Sequence, residues 1–280
     1  MALLSMNETT TFRWSFEEDV MNYAAVGIPA IGVWRQKLSD FGEEKGIELL
    51  AETGLKVSHL LWAGGFTGSD GRSFRASIED AMDALETAAG LKAQTLVVYS
   101  GSRAGHTFNH ARRLIHDALK ELAPIAFERG VILGIEPMHP NCAAQFTFLT
   151  GIDDTLDLLQ SVGSPQVKMV FDTYHLGQDC KVISRIAELA GKLAIVQLGD
   201  SRQAPTAEQN RCRLGEGCVP LREIVDALTA SGYDGFYDVE LLGEEIETLG
   251  YRSLLVHAKE AFDRFVLRRD AVSPEGHAKS

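Results

Sequence analysis

The most constraining feature of this chain is a rhythm. Eight short runs rich in β-branched and aliphatic residues recur along it: Leu3 to Asn7, Ala30 to Trp34, Lys56 to Trp62, Thr95 to Ser100, Val131 to Glu136, Val167 to Asp172, Ala194 to Leu198 and Phe236 to Glu240. Longer amphipathic stretches separate them. Near-continuous apolar runs suit parallel strands, which are covered on both faces, and each parallel step needs a crossover helix. The helical stretches carry their own punctuation. Ser15-Phe16-Glu17-Glu18 opens a capping box, His110 to Glu128 is long and amphipathic, and Leu221 to Thr229 is closed by Gly232. Eight strands with eight helices in about 250 residues predict a single α/β domain, a (β/α)8 or TIM barrel, rather than an open doubly wound sheet. The barrel is expected to span residues 1–267, with residues 268–280, polar and containing Pro and Gly, as a flexible C-terminal tail. Gly64 to Gly71 has the wrong glycine spacing for a phosphate loop and predicts a plain connection.

Charge narrows the partners. With 39 acidic against 27 basic residues the formal charge is −12, so a phosphate backbone meets repulsion over most of the surface and nucleic acid is not expected. Cys142, Cys180, Cys212 and Cys218 lack the paired short spacings of structural zinc or of a disulfide framework, and read as reduced thiols. The N-terminal MALLSMNETT has no positive flank and too short an apolar run for a signal peptide, and no segment reaches membrane-spanning length. A cytoplasmic protein, with no membrane partner, is the expectation.

In such a barrel the C-terminal strand ends converge on one face, where distant residues meet. The fifth run ends in Glu136, the sixth in Asp172, the seventh carries Gln197 near its end, and the eighth ends in Glu240. A single acidic strand end is ordinarily a helix cap or a solvated loop residue. Four potential chelators on consecutive strands are another matter. Three carboxylates buried together drive their own protonation unless a cation or strong donors sit among them. An all-oxygen set favours one divalent ion, Mn²⁺ or Mg²⁺, with Co²⁺ or Zn²⁺ as further candidates. The set would remain net negative, so a cationic neighbour is expected.

The segments GIEP, FDTYH, VQLGD, RCRLGEG (Arg211 to Gly217) and GYDGFYDVE (Gly232 to Glu240) fall in an order and at spacings that resemble the sugar phosphate isomerase/epimerase family. That family shares the xylose isomerase-like barrel with ketose 3-epimerases, inosose dehydratases, hydroxypyruvate isomerases and apurinic-site endonucleases. The resemblance runs from about Asn7 to Phe265. It implies metal-ligand positions at Glu136, Asp172, Gln197 and Glu240, and substrate contacts at His175 and Arg211, with Arg213 as the alternative in the same loop. Many relatives have histidine where this chain has Gln197, which moves the site toward harder metals.

The chemistry implied is metal-dependent isomerisation or epimerisation of a ketose or related keto-polyol. Glu136 and Glu240 would exchange a proton beside a carbonyl through an enediolate. Loss of a β-hydroxyl from the same species would make a dehydratase of the inosose or 3-dehydroshikimate type. A noncatalytic carbohydrate-binding barrel is a third reading, because fold does not fix function. The endonuclease branch fits poorly: the chain has only 8 His, lacks an Asp-x-His pair after the seventh strand, and is acidic. Asn7, Trp62 and His139, near strand ends, are further substrate-binding candidates, Trp62 as an apolar wall beside a sugar ring. A homo-oligomer is compatible with all of this.

Overall fold

A computed structural model describes residues 2–267. Eight parallel strands, β1 (Leu3–Asn7), β2 (Ala30–Trp34), β3 (Lys56–Gly64), β4 (Thr95–Tyr99), β5 (Ile132–Ile135), β6 (Val167–Asp172), β7 (Leu193–Leu198) and β8 (Phe236–Val239), close in sequence order, with β8 paired to β1. The expected TIM barrel is therefore the fold. The proposed tail from Arg268 lies outside the described residues.

Two apolar layers hold it. A large outer layer packs the helices on the strands, joining for example Leu85, Leu119, Leu158, Ile224 and Leu255 to Leu60, Leu96 and Val196. A small inner cluster of Leu61, Val97, Val170 and Ile195 fills the barrel axis. Space there is scarce: a Cβ on Gly32 of β2 would come within 2.2 Å of the buried His59 ring. Glycine is required there because another strand's side chain already fills the interior.

The helices differ from the expected eight. Among the described residues there are twelve α-helical segments. The β2–β3 connection is split at Gly42 (φ 106°), which ends Arg35–Phe41 and precedes Glu43–Thr53. One-turn helices follow three strands: Pro140–Ala143, Thr173–Leu176 and Glu244–Glu247. A single turn has no 3.6-residue period to read. The capping box at Ser15 does form, with Gly27 as its left-handed stop. No helix among the described residues is long and apolar enough to cross a membrane.

Register sets up the strand ends. Asp172 lies opposite Gln197, and Gln197 opposite Asp238. Side chains alternate along a strand, so Glu240, two residues past Asp238, points to the same interior. Glu136 and Glu240 each stand one residue beyond their strands.

Candidate active site

A cavity of about 230 Å³ opens at the C-terminal end of the barrel. Thr9, Glu136, His175, Gln209, Arg211 and Glu240 form its polar side, and Leu61, Trp62, Val97, Met138, Phe146 and Leu242 its apolar side.

Each polar side chain is placed by its local structure. Asp172 ends β6 and caps the following turn, its Oδ1 accepting from Tyr174 N at 2.7 Å. That turn carries His175 inward, its Nε2 3.8 Å from both Glu136 Oε1 and Asp172 Oδ2. Gln197, fully buried on β7, donates from Nε2 to Glu240 Oε2 at 2.5 Å. Arg211 reaches in from the loop after β7. Its Nη2 lies 2.9 Å from Asp172 Oδ2, its Nη1 donates to the Glu240 carbonyl at 3.0 Å, and its guanidinium stacks 4.2 Å over the Tyr174 ring. A side chain only 2% exposed thus brings the one cation among the polar lining residues.

One positive charge does not balance three carboxylates. Burial first, then Glu240 and Asp172, push the Glu136 carboxyl well above its ordinary range, with Arg211 opposing. Burial likewise raises Glu240 to about 7 despite Arg211. His175 is pushed down to about 4, chiefly by burial, and is neutral near pH 7 with a ring nitrogen able to coordinate. Donor atoms of Glu136, Asp172 and His175 lie within 4.8 Å of one another, a buried group compact enough to hold a divalent ion. Several potential ligand atoms also lack hydrogen-bond partners: Gln197 Oε1, His175 Nδ1 and Asp172 Oδ2, the last ion-paired with Arg211 and 3.8 Å from His175 Nε2. Surplus negative charge together with an unpartnered oxygen is what a cation would satisfy.

Not every candidate reaches this space. Trp62 lines the cavity, stacked on Trp34 at 6.2 Å between centroids. Asn7 does not. Its amide is turned under the site, where Nδ2 donates to Asp238 Oδ2 at 3.0 Å and Oδ1 accepts from Thr9 N and Oγ1 at 3.0 and 2.7 Å. One step past the Met6–Val239 pair, Asn7 stands level with Glu240, but these bonds turn its amide toward Asp238 and away from the cavity lining. His139 also falls elsewhere: its Nδ1 caps Pro140–Ala143 by accepting from Asn141 N, and it borders a neighbouring depression. Arg213 is not among the cavity residues, so Arg211 alone of the two faces the pocket. The sequence reading missed Thr9 and Gln209, uncharged loop residues without a motif to mark them.

The sequence and the fold have counterparts. Residues 21–261 match the family model described as xylose isomerase-like TIM barrel. The chain is 28% identical over 155 residues to a D-psicose 3-epimerase of Enterocloster bolteae, a match covering 52% of this chain and 47% of that protein. It is equally 28% identical over 155 residues to an inosose isomerase of Bacillus velezensis, covering 54% of each. The matches thus span about half the length of these curated relatives. Among solved structures, the IolI protein with a bound zinc atom superposes with a TM-score of 0.83 over 96% of this chain and 100% of that one, at 20% identity. A match of the family model to most of the closed eight-stranded barrel leaves no ambiguity of membership: the chain belongs to the xylose isomerase-like TIM barrel family.

Proposed function

We propose that this chain is a divalent-metal-dependent sugar isomerase or epimerase that moves a proton beside the carbonyl of a ketose or related keto-polyol. The observation that carries the reading is the pairing, in one cavity, of Glu136 and Glu240 beside the compact buried group of Glu136, Asp172 and His175, with its surplus negative charge and unpartnered atoms. The cavity volume of about 230 Å³ is below the roughly 300–1,000 Å³ common for drug-sized ligands and suits one monosaccharide. Relatives named as a sugar 3-epimerase and an inosose isomerase support the class, and the zinc-bound barrel supports a metal.

Glu136, Asp172, Gln197 Oε1 and Glu240 would hold the ion, with His175 beside them. The nitrogen of His175 extends the expected metals from Mn²⁺ and Mg²⁺ toward Co²⁺ and Zn²⁺. A bound divalent ion supplies the positive charge that stabilises the developing oxyanion. The rest falls to side chains. One glutamate removes the proton and the other returns it, to the opposite face for epimerisation or to the neighbouring carbon for isomerisation. Arg211 anchors substrate oxygens, His175 bonds a hydroxyl, and Trp62 walls the carbon face.

Incubation with D-fructose, D-psicose or D-tagatose and Mn²⁺ in deuterated water is the test. Deuterium at the carbon beside the carbonyl, in a product with an inverted hydroxyl or shifted carbonyl, is the expected result. A rearranged product without label would replace proton transfer by hydride shift, and a product lighter by one water would assign a dehydratase. Arg211→Ala should lower kcat/KM roughly 10²-fold. Metal should be retained, because the substitution frees Asp172 Oδ2 from a competing cation. Wild-type kinetics in that variant would remove Arg211 from the substrate.

A further inference from the structure

The turn before Arg211 is held more firmly than an ordinary loop. Gln209 adopts a left-handed backbone, φ 57°, uncommon outside glycine and asparagine. Gln209 N donates to Thr206 O at 3.0 Å, and Arg211 N donates to both Gln209 O at 2.8 Å and Leu242 O at 3.1 Å. Tyr174 Oη bridges Asn210 Oδ1 at 2.8 Å and Thr206 N at 3.1 Å, while Asn141 Nδ2 donates to Pro205 O. Gly243, after β8, gives this turn its room: a Cβ there would lie 1.8 Å from Gln209 O. An uncommon backbone state persists only where its surroundings over-determine it, and such states concentrate at functional sites.

The side chain this turn presents lines the cavity beside Arg211 and Glu240. Gln209 Oε1 accepts from Arg211 Nε at 3.3 Å. Arginine has no acceptor, so the amide oxygen must face it, and the NH2 end, with two donors, is left for the cavity. Donors there are few. Arg211 commits Nε–H and one N–H each of Nη1 and Nη2 to Gln209, the Glu240 carbonyl and Asp172, which leaves it one N–H on each Nη, and ionised Glu136 and Glu240 can only accept. A sugar that gives its hydroxyl hydrogens to carboxylates still needs donors for its oxygens.

We propose that Gln209 is a specificity-determining substrate contact, whose amide N–H groups bond a hydroxyl or carbonyl oxygen of the sugar. The inference rests on the isomerase/epimerase reading above and adds to it a residue outside the charged strand ends. It is separable from a purely supporting role. If Gln209 only orients Arg211, then Q209E supplies a firmer partner and leaves substrate binding intact. If the N–H groups bind substrate, Q209E loses both donors while keeping the oxygen toward Arg211, and a neutral ketose gains no charge repulsion to confuse the result.

The experiment is steady-state kinetics of the full chain and its Q209E and Q209A variants, loaded with Mn²⁺, on D-fructose, D-psicose and D-tagatose, with metal content measured alongside. Both variants should raise KM about tenfold on the best of the three sugars, with kcat little changed and metal content unchanged. Wild-type KM in Q209E, whatever Q209A does, overturns the contact and leaves Gln209 as a support for Arg211. Absence of turnover and of deuterium exchange in the unmutated chain on all three sugars overturns the isomerase/epimerase reading itself, and this inference with it.

Discussion

Glu136→Gln lowers turnover by about 10²–10⁴-fold while the chain keeps its metal. The amide retains an oxygen for a cation but cannot accept a proton, so the loss measures general-base catalysis rather than assembly of the site. Glu240→Gln should fall in the same range, and the pair separates the two roles. The variant lacking the residue that abstracts the proton loses deuterium exchange into substrate altogether, whereas its partner still permits washout without product. The burial that raises Glu136 and Glu240 applies to the glutamates and not to glutamine, so neither variant carries a new charge penalty. Near-normal exchange and turnover in both, with metal bound, would reduce these residues to ligands.

Removing the metal should destabilise the chain in a way that depends on pH. In the unfolded chain Glu136 and Glu240 titrate near the ordinary glutamate value. In the fold burial raises both, Glu240 to about 7. Between the ordinary and raised values the folded state binds more protons, so the stability these groups contribute is present below the ordinary value and lost as pH rises through the raised ones. A cation takes the place of those protons. The stabilisation gained from Mn²⁺ is therefore larger at pH 8 than at pH 5. At an ion concentration of 100 Kd it amounts to about 2.7 kcal/mol, or about 5–10 °C in Tm for a chain of this size. Glu8 and Asp238 are also raised by burial and add a slope of their own, so the quantity to measure is the difference between metal-loaded and chelator-treated protein. A Tm indifferent to chelator at pH 8, or a gain that shrinks with rising pH, would remove the metal from this site.

Legibility in the sequence followed the physics of each element. The strands were readable because both their faces are covered, leaving continuous apolar runs such as VKMVF before Asp172. Glu136 and Glu240 stood out because a carboxylate ending such a run is conspicuous. Pairing order and register follow from consecutive parallel steps, which brings Asp172 beside Gln197. Side-chain direction was not readable. Asn7 and Glu240 both end an inward-facing run and stand level in register, yet the Asn7 amide turns back to Asp238 and Thr9. His139 looked equivalent to His175 by distance from a strand, but its ring is engaged by the amide that starts the next turn. Gln209 carries no charge and no period, and its place depends on Gly243, thirty-odd residues later, making room for its carbonyl.

The carboxylates, the histidine and the arginine of the site all lie on the second half of the barrel. Glu136, His175, Arg211 and Glu240, with Asp172 behind them, come from β5 through β8 and their loops, whereas β3 and β4 give Leu61, Trp62, Val97 and Tyr99 and the loop after β1 gives Thr9. The boundary falls at the left-handed Gly130 that ends the long Phe108–Arg129 helix. Inheritance can therefore act on the two halves separately. A crossover near Gly130 between related barrels would carry the ionisable apparatus over whole and replace only the contour it is set against. Descendants of such an exchange would differ in the shapes they admit while sharing one set of proton-bearing groups.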